Sequence, residues 1–313
     1  MFPRVGSNRH AAASLPLLLI TVVLLRAQTA IMGRRGYSII GGKSTGMRTI
    51  KLGMWKVPAL SLFAAVLGCA IVLPYGVLLR TALVKNWSAP MAGNFSLEHW
   101  RFVFLEFSQT KVALANTFIL GASAATAGTL LVMMIGYLSL RKLVWGHRYL
   151  AFLATAPVAI PGIVLAVGLF LSYTQPPLVL YGTLSIIFLA YLTKELPVGY
   201  QQVAASLKAV HPELEEAGCI FGATRLRVLV DITAPLIRNG VIATWILIFI
   251  GSIRELSATI LLFTAKTKTI SVTMFDLRES NDWGPIAVLS ITMLVITFLM
   301  IAAVNYFTDR RSS

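Results

Sequence analysis

From Tyr149 to Thr193 the chain runs 45 residues without one Asp, Glu, Lys or Arg. A helix needs roughly 20 apolar residues to cross about 30 Å of hydrocarbon, so this stretch exceeds a single span. Gln175-Pro176-Pro177 divides it in two, because prolines stop helices and suit a tight turn. Val57–Leu79 and Val112–Leu140 are charge-free as well. Asn239–Ile253 opens another span, interrupted by Arg254-Glu255 and continued by Leu256–Ala265, and Trp283–Thr308 closes the set. The remaining candidate is Ala11–Met32, with the short core Ala11–Leu25. Unpaired backbone groups cannot sit in lipid, so spans of this kind are helices. The expected fold class is all-α, a polytopic membrane protein of about seven transmembrane helices.

Composition removes the alternatives. The 313 residues are 57% hydrophobic and 12% charged, too few polar groups to coat a water-soluble fold. A cytosolic enzyme, a disordered chain and a fibrous repeat are excluded together. Two cysteines, Cys69 and Cys219, make no disulfide scaffold and no zinc-ligand spacing. His10, His99, His147 and His211 fall in predicted loops without ligand-like spacing, so no metal site is expected. The net charge of +15 would suggest nucleic acid in a soluble protein. In an apolar chain it marks loops at an anionic leaflet, so the bilayer, not nucleic acid, is the expected partner.

Orientation follows from the same charges. Seven spans with the N-terminus outside and the C-terminus in the cytoplasm place 17 of the 27 Lys and Arg residues inside, among them six in the acid-free linker Gly33–Lys56. Arg4, Arg9 and His10 before an apolar run that ends in Ala27-Gln28-Thr29-Ala30 also fit a cleavable signal peptide. Cleavage would leave Gly33–Lys56 outside and invert every later loop, so the retained helix is the preferred reading.

Two segments invite a motif reading. Gly36–Ser44 ends in Gly42-Lys43-Ser44 like a phosphate-binding loop, yet Tyr37 stands where that motif requires glycine, and no buried strand precedes it. The chain is not expected to bind ATP itself. Lys194–Arg238 is different, a long patterned segment between two spans. Pro197–Ala209 fits an amphipathic helix, with Val198, Val203 and Leu207 opposite Gln201, Gln202 and Lys208. Pro212 suits a first helical position, and Glu213, Glu215 and Glu216 suit the positive end of the helix dipole. Ala217, Gly218, Ile220 and Phe221 give a small apolar face that admits a close partner. Gly222 suits a left-handed helix end, Thr224 a cap, and Pro235 the opening of the next span.

The run Glu216-Ala217-Gly218-x3-Gly222-x9-Ile232-x-Ala234-Pro235 resembles the EAA loop of permease subunits of binding-protein-dependent ABC importers of type I. Gly218 replaces the family's second Ala, and Ala234 replaces Leu. His211 stands where the family often has an acidic cap. The resemblance extends from about Lys51 to the C-terminus through Asn116-Thr117, Pro157-x3-Pro161-Gly162 and Arg254-Glu255-Leu256-Ser257-Ala258. Arg254–Pro285, with Thr269–Asp276 inside it, is most similar to the C-terminal half of ferric-iron-type permeases. The resemblance implies a membrane-spanning, non-enzymatic subunit of a bacterial inner-membrane importer. Its partners would be a cytoplasmic ABC ATPase dimer carrying ATP and Mg, a substrate-binding protein, and a second permease half or another copy of this chain. Ferric iron is the implied cargo; polyamine, thiamine, phosphonate or sugar phosphate are the alternatives within the family. The coupling residues carried over are Glu213, Glu215, Glu216, Ala217, Gly218, Gly222 and Pro235.

The implied organisation is a leading helix and basic linker over 1–56, a first core helix and external loop over 57–111, the permease domain over 112–308 with its EAA loop at 195–235, and a tail at 309–313. Relatives of the ferric type are usually fused pairs of six-helix halves. The leading helix then resembles the end of a missing first half, and the chain either a separately encoded half or a truncated, inactive product. Arg254 and Glu255 stay open between two readings. The 17 residues from Ile237 to Arg254 rise about 26 Å, which puts the pair near the outer edge of the hydrocarbon. There Arg254 either snorkels to the interface or joins Glu255, Ser257 and the hinge Pro161-Gly162 along a translocation path or gate.

Overall fold

The computed structural model describes residues 53–309 apart from 87, 88, 90 and 91. The leading span Ala11–Met32, the segment Gly36–Ser44 and most of the basic linker lie outside the described residues. The chain divides into two compact units, Met1–Leu62 and Phe63–Ser313. In the first, only the turn Gly53–Trp55 and the start of helix α1 (Lys56–Leu67) are described. All that follows concerns the second.

Its helices are α2 (Leu73–Leu83), α3 (Gln109–Leu140), α4 (His147–Thr155), α5 (Gly162–Tyr173), α6 (Leu184–Lys208), α7 (Pro212–Ile220), α8 (Arg238–Ile253), α9 (Ile270–Glu279) and α10 (Trp283–Asp309). Shorter turns join them. Three stretches are long and apolar enough to cross a membrane: Gly53–Leu83, Gln109–Leu140 and Trp283–Ala303. Two bent pairs, His147–Ala159 with Gly162–Tyr173 and Arg225–Leu236 with Arg238–Ile253, raise the number to five if each is one span. The all-α class holds in the described residues, with three to five candidate spans there.

Three expected elements differ. The run from Tyr149 to Gln175 is not one straight helix: it turns by 108° at Ile160-Pro161. Ile160 is extended (φ −97°, ψ 116°), the conformation that a following proline imposes, and Pro161 has no N–H to carry the ladder on. Conversely, the expected break between Thr193 and Pro197 is absent, and α6 continues for 25 residues. Buried Pro197 lies where α6 packs against α3 and α8, and that packing holds the helix across the missing hydrogen bond. Finally, Leu256–Ala265 does not prolong α8. The chain turns at Arg254, makes one short helix, Thr259–Leu262, and then enters α9.

The core is strung along α3. At its start, Ala113 and Ala125 pack with Phe249, Ile270 and Val288. Leu120 and Ala124 meet Ala166, Ile187 and Tyr191. At its end, Val132 and Tyr137 meet Val203, Leu207 and Ile237. Small residues set these distances. A Cβ on Gly128 would stand 3.2 Å from the Ile248 side chain, and one on Gly136 3.0 Å from Val203. Helices in lipid gain little from the hydrophobic effect between themselves, so close backbone approach of this kind is what joins them.

Candidate functional site

Two clusters carry charge inside the fold. The first is at the end of the bundle where α3 and α6 finish. His211 is extended (φ −65°, ψ 132°), Pro212 takes the first helical position, and α7 lies across the end. Gly222 is left-handed at φ 90°, and the Thr224 hydroxyl accepts from Arg227 N at 3.3 Å. Those local features match the sequence reading.

Which side chains face outward does not follow the sequence pattern. Glu213 and Glu216 are exposed, but Glu215 is buried and points inward. Arg141, just past α3, donates to Glu215 from Nε at 3.0 Å and from Nη2 at 2.8 Å. Thr233 Oγ1 donates to the same carboxylate at 2.9 Å, and Tyr137 OH at 3.4 Å. The Arg141 Nη2 also donates to the carbonyls of Val210 (3.1 Å) and Leu207 (3.4 Å), which a helix end leaves without partners. One guanidinium thus binds the ends of α3 and α6 to α7. From sequence, Arg141 reads only as an inside charge; nothing in one sequence links it to Glu215.

Gly218 also faces inward. A Cβ there would come within 2.9 Å of Ile232 and 3.0 Å of Val228, so the small residue accommodates the returning chain. Open space surrounds Gly222, and Ile220 and Phe221 are 83% and 91% exposed. Pro235 lies in the short turn Ala234–Leu236 ahead of a 76° bend, after which Arg238 starts α8.

The second cluster lies within the bundle. Glu255 accepts at Oε2 from Lys194 Nζ, and at Oε1 from Ser257 Oγ (2.5 Å) and Ala258 N (2.9 Å). Lys194 Nζ also donates to Ser257 Oγ at 2.9 Å. Gly162, the first residue of α5 after the bend, sits so close that any Cβ would strike the Ser257 hydroxyl and stand 3.1 Å from Lys194 Nζ. The structure therefore gathers Gly162, Glu255 and Ser257 and adds Lys194. Arg254 is exposed and lines a separate cavity, and Pro161 is exposed at the bend itself.

This corrects the depth assigned to these residues. Lys194 is 14 residues, about 21 Å of helix, from the Lys208 end of α6, so it belongs to the bundle and not to the loop. Neighbouring Glu195 is buried too, with its carboxylate laid against Gly251 of α8. The end of a charge-free run marks the end of a span only where charges do not neutralise each other inside, and here they do. Asn116 and Thr117 are structural. Asn116 Nδ2 donates to the carbonyls of Lys266 (3.0 Å) and Lys268 (2.9 Å), and Thr117 Oγ1 accepts from Ile270 N at 3.0 Å. Among the described residues no three His, Cys, Asp or Glu side chains converge to hold a metal.

Residues 128–313 match the family described as binding-protein-dependent transport system inner membrane component. The chain belongs to that family. It is a non-catalytic permease-type subunit. The ferric transport system permease protein FbpB of Actinobacillus pleuropneumoniae is 24% identical over 303 residues, covering 93% of this chain and 42% of that protein. A putative ferric permease FbpB 1 of Haemophilus influenzae is 25% identical, with 82% and 40% covered. The chain thus spans about two fifths of the length of these two relatives. A putative 2-aminoethylphosphonate permease PhnV of Salmonella paratyphi A is 26% identical over 76% of this chain and 89% of its own length. Among solved structures, a bacterial ABC transporter involved in import of the acidic polysaccharide alginate superposes at TM-score 0.67, with 18% identity over 83% of this chain and 96% of that one. That likeness concerns the fold. In this family member, the patterned run from Glu216 and the inward anchor at Glu215 belong to one loop.

Proposed function

We propose that this chain is the membrane-spanning subunit of an ATP-driven importer, with α7 as the helix that docks on a cytoplasmic ATPase. The observation that carries the reading is the Glu215 anchor. It ties α7 rigidly to the ends of α3 and α6, while Ile220, Phe221, Glu213 and Glu216 face outward. A push on α7 is thereby a push on the bundle. ATP and Mg belong to the ATPase dimer; the chain does no covalent chemistry. The α4–α5 bend and the Lys194–Glu255–Ser257 cluster form the gate, since Gly162 lets the bend rest directly on the ion pair. Seven spans, an outside N-terminus and a second six-helix block complete the proposed assembly. A binding protein delivers the cargo, and ferric iron is the first candidate because the ferric relatives match most of the chain; phosphonates come second.

The test is ATP hydrolysis by the cognate ATPase coexpressed with the chain in membranes. Gly222→Leu strains a left-handed position, and Glu216→Ala removes an outward carboxylate. Both should lower permease-stimulated hydrolysis at least severalfold while insertion stays normal. Full stimulation in both variants rejects α7 as the coupling helix.

A further inference from the structure

At the end of the bundle away from α7, a cavity of about 470 Å³ opens between the end of α8, α9 and α10. Its walls include Met274, Phe275, Met293 and Leu294, and it follows α10 from Trp283 to Thr297, about 21 Å of helix. Two cations line it, Arg254 and Arg278, both exposed. Neither makes an ion pair or a hydrogen bond to another described residue. The acid nearest in sequence on α9, Asp276, is already held by Lys268. Trp283 opens a candidate span, the place where amphipathic rings sit at headgroup depth. A long apolar trench with unneutralised arginines and a tryptophan at its mouth complements one class of molecule, a negatively charged head on hydrocarbon chains.

We propose that this cavity holds an anionic phospholipid, its phosphate between Arg254 and Arg278 and one acyl chain along Met293 and Leu294. Arginine suits the role because its planar fork binds phosphate oxygens in pairs. Bound there, the lipid would fasten α9 to α10 and shield two charges from the hydrocarbon. This goes beyond the importer reading, since it requires no ATPase, cargo or coupling.

Native mass spectrometry of the full chain in detergent, with phosphatidylglycerol or phosphatidylcholine of identical acyl chains added, tests it. One phosphatidylglycerol should be retained, at least tenfold in preference to phosphatidylcholine. Arg254→Gln and Arg278→Gln should each lower retention about fivefold, near the contribution of one basic residue at a membrane surface. Arg254→Lys and Arg278→Lys should retain most of it. Leu294→Trp, which fills the apolar part without touching charge, should lower retention of the lipid as well. Equal retention of both lipids by the unmodified chain overturns the proposal, and that comparison needs no variant to fold. Displacement of the lipid by millimolar inorganic phosphate alone also overturns it and makes the cavity a site for free anions. Exclusion of lipid whenever a second permease block copurifies overturns it in favour of a protein interface.

Discussion

Glu215 and Arg141 have side chains only 6% and 11% exposed, and between them they bind three helix ends. A buried pair broken on one side leaves an uncompensated charge, which costs about 3–5 kcal/mol. Glu215→Ala should therefore lower the melting temperature of the purified chain sharply, whereas Glu216→Ala, at an exposed position, should leave it unchanged. Equal melting in both variants would mean that the anchor holds nothing together. Lys194 and Glu255 allow a complementary experiment. Lys194→Met strands a buried carboxylate that keeps only Ser257 and Ala258 as donors. The double variant Lys194→Met/Glu255→Gln removes both charges, so it should recover most of the folded yield lost by Lys194→Met. Transport should stay impaired in the double variant if the pair gates the path. Restored transport would make the pair structural only.

At the scale of elements, helices are where the sequence is most readable. Apolar length alone locates α3 and α10, because a span must be long, apolar and helical. Proline and glycine locate the ends of α7 for local reasons, with Pro212 at its first position and Gly222 left-handed beyond it. Where packing outweighs the local rule, the sequence misleads. Pro197 sits inside α6 because neighbours enclose it, while Pro161 bends the chain where Ile160 and Pro161 are exposed. The proposed orientation makes the Ala92 turn external and the Trp145 turn cytoplasmic. In a background with Cys69 and Cys219 replaced, an impermeant maleimide should label Ala92→Cys in intact cells but not Trp145→Cys. Both sites are exposed, so accessibility does not confound the comparison. The reverse pattern would invert the topology.

For the whole molecule, the outer surface is the informative part. Phe152, Leu153, Val164 and Leu171 along the α4–α5 bend are 56–69% exposed, a face for lipid or for another protein. An importer path needs two six-helix blocks, so the chain should purify with a second block or as a dimer, read by light scattering with the detergent subtracted. A monomer that transports alone and binds no ATPase would defeat the importer reading.

The sequence by itself determined that this chain is helical and built for lipid, and that one loop follows the pattern of an ATPase-docking helix. Those properties are local: apolar run length, proline and glycine geometry, and the spacing from Glu216 to Pro235 each act within a few turns of chain. Tertiary structure alone decided which charges were buried. Lys194 and Glu255 are 61 residues apart, and Arg141 and Glu215 are 74 apart. A charge reads as a loop residue until its partner is known, because a neutralised pair can lie where a lone ion cannot.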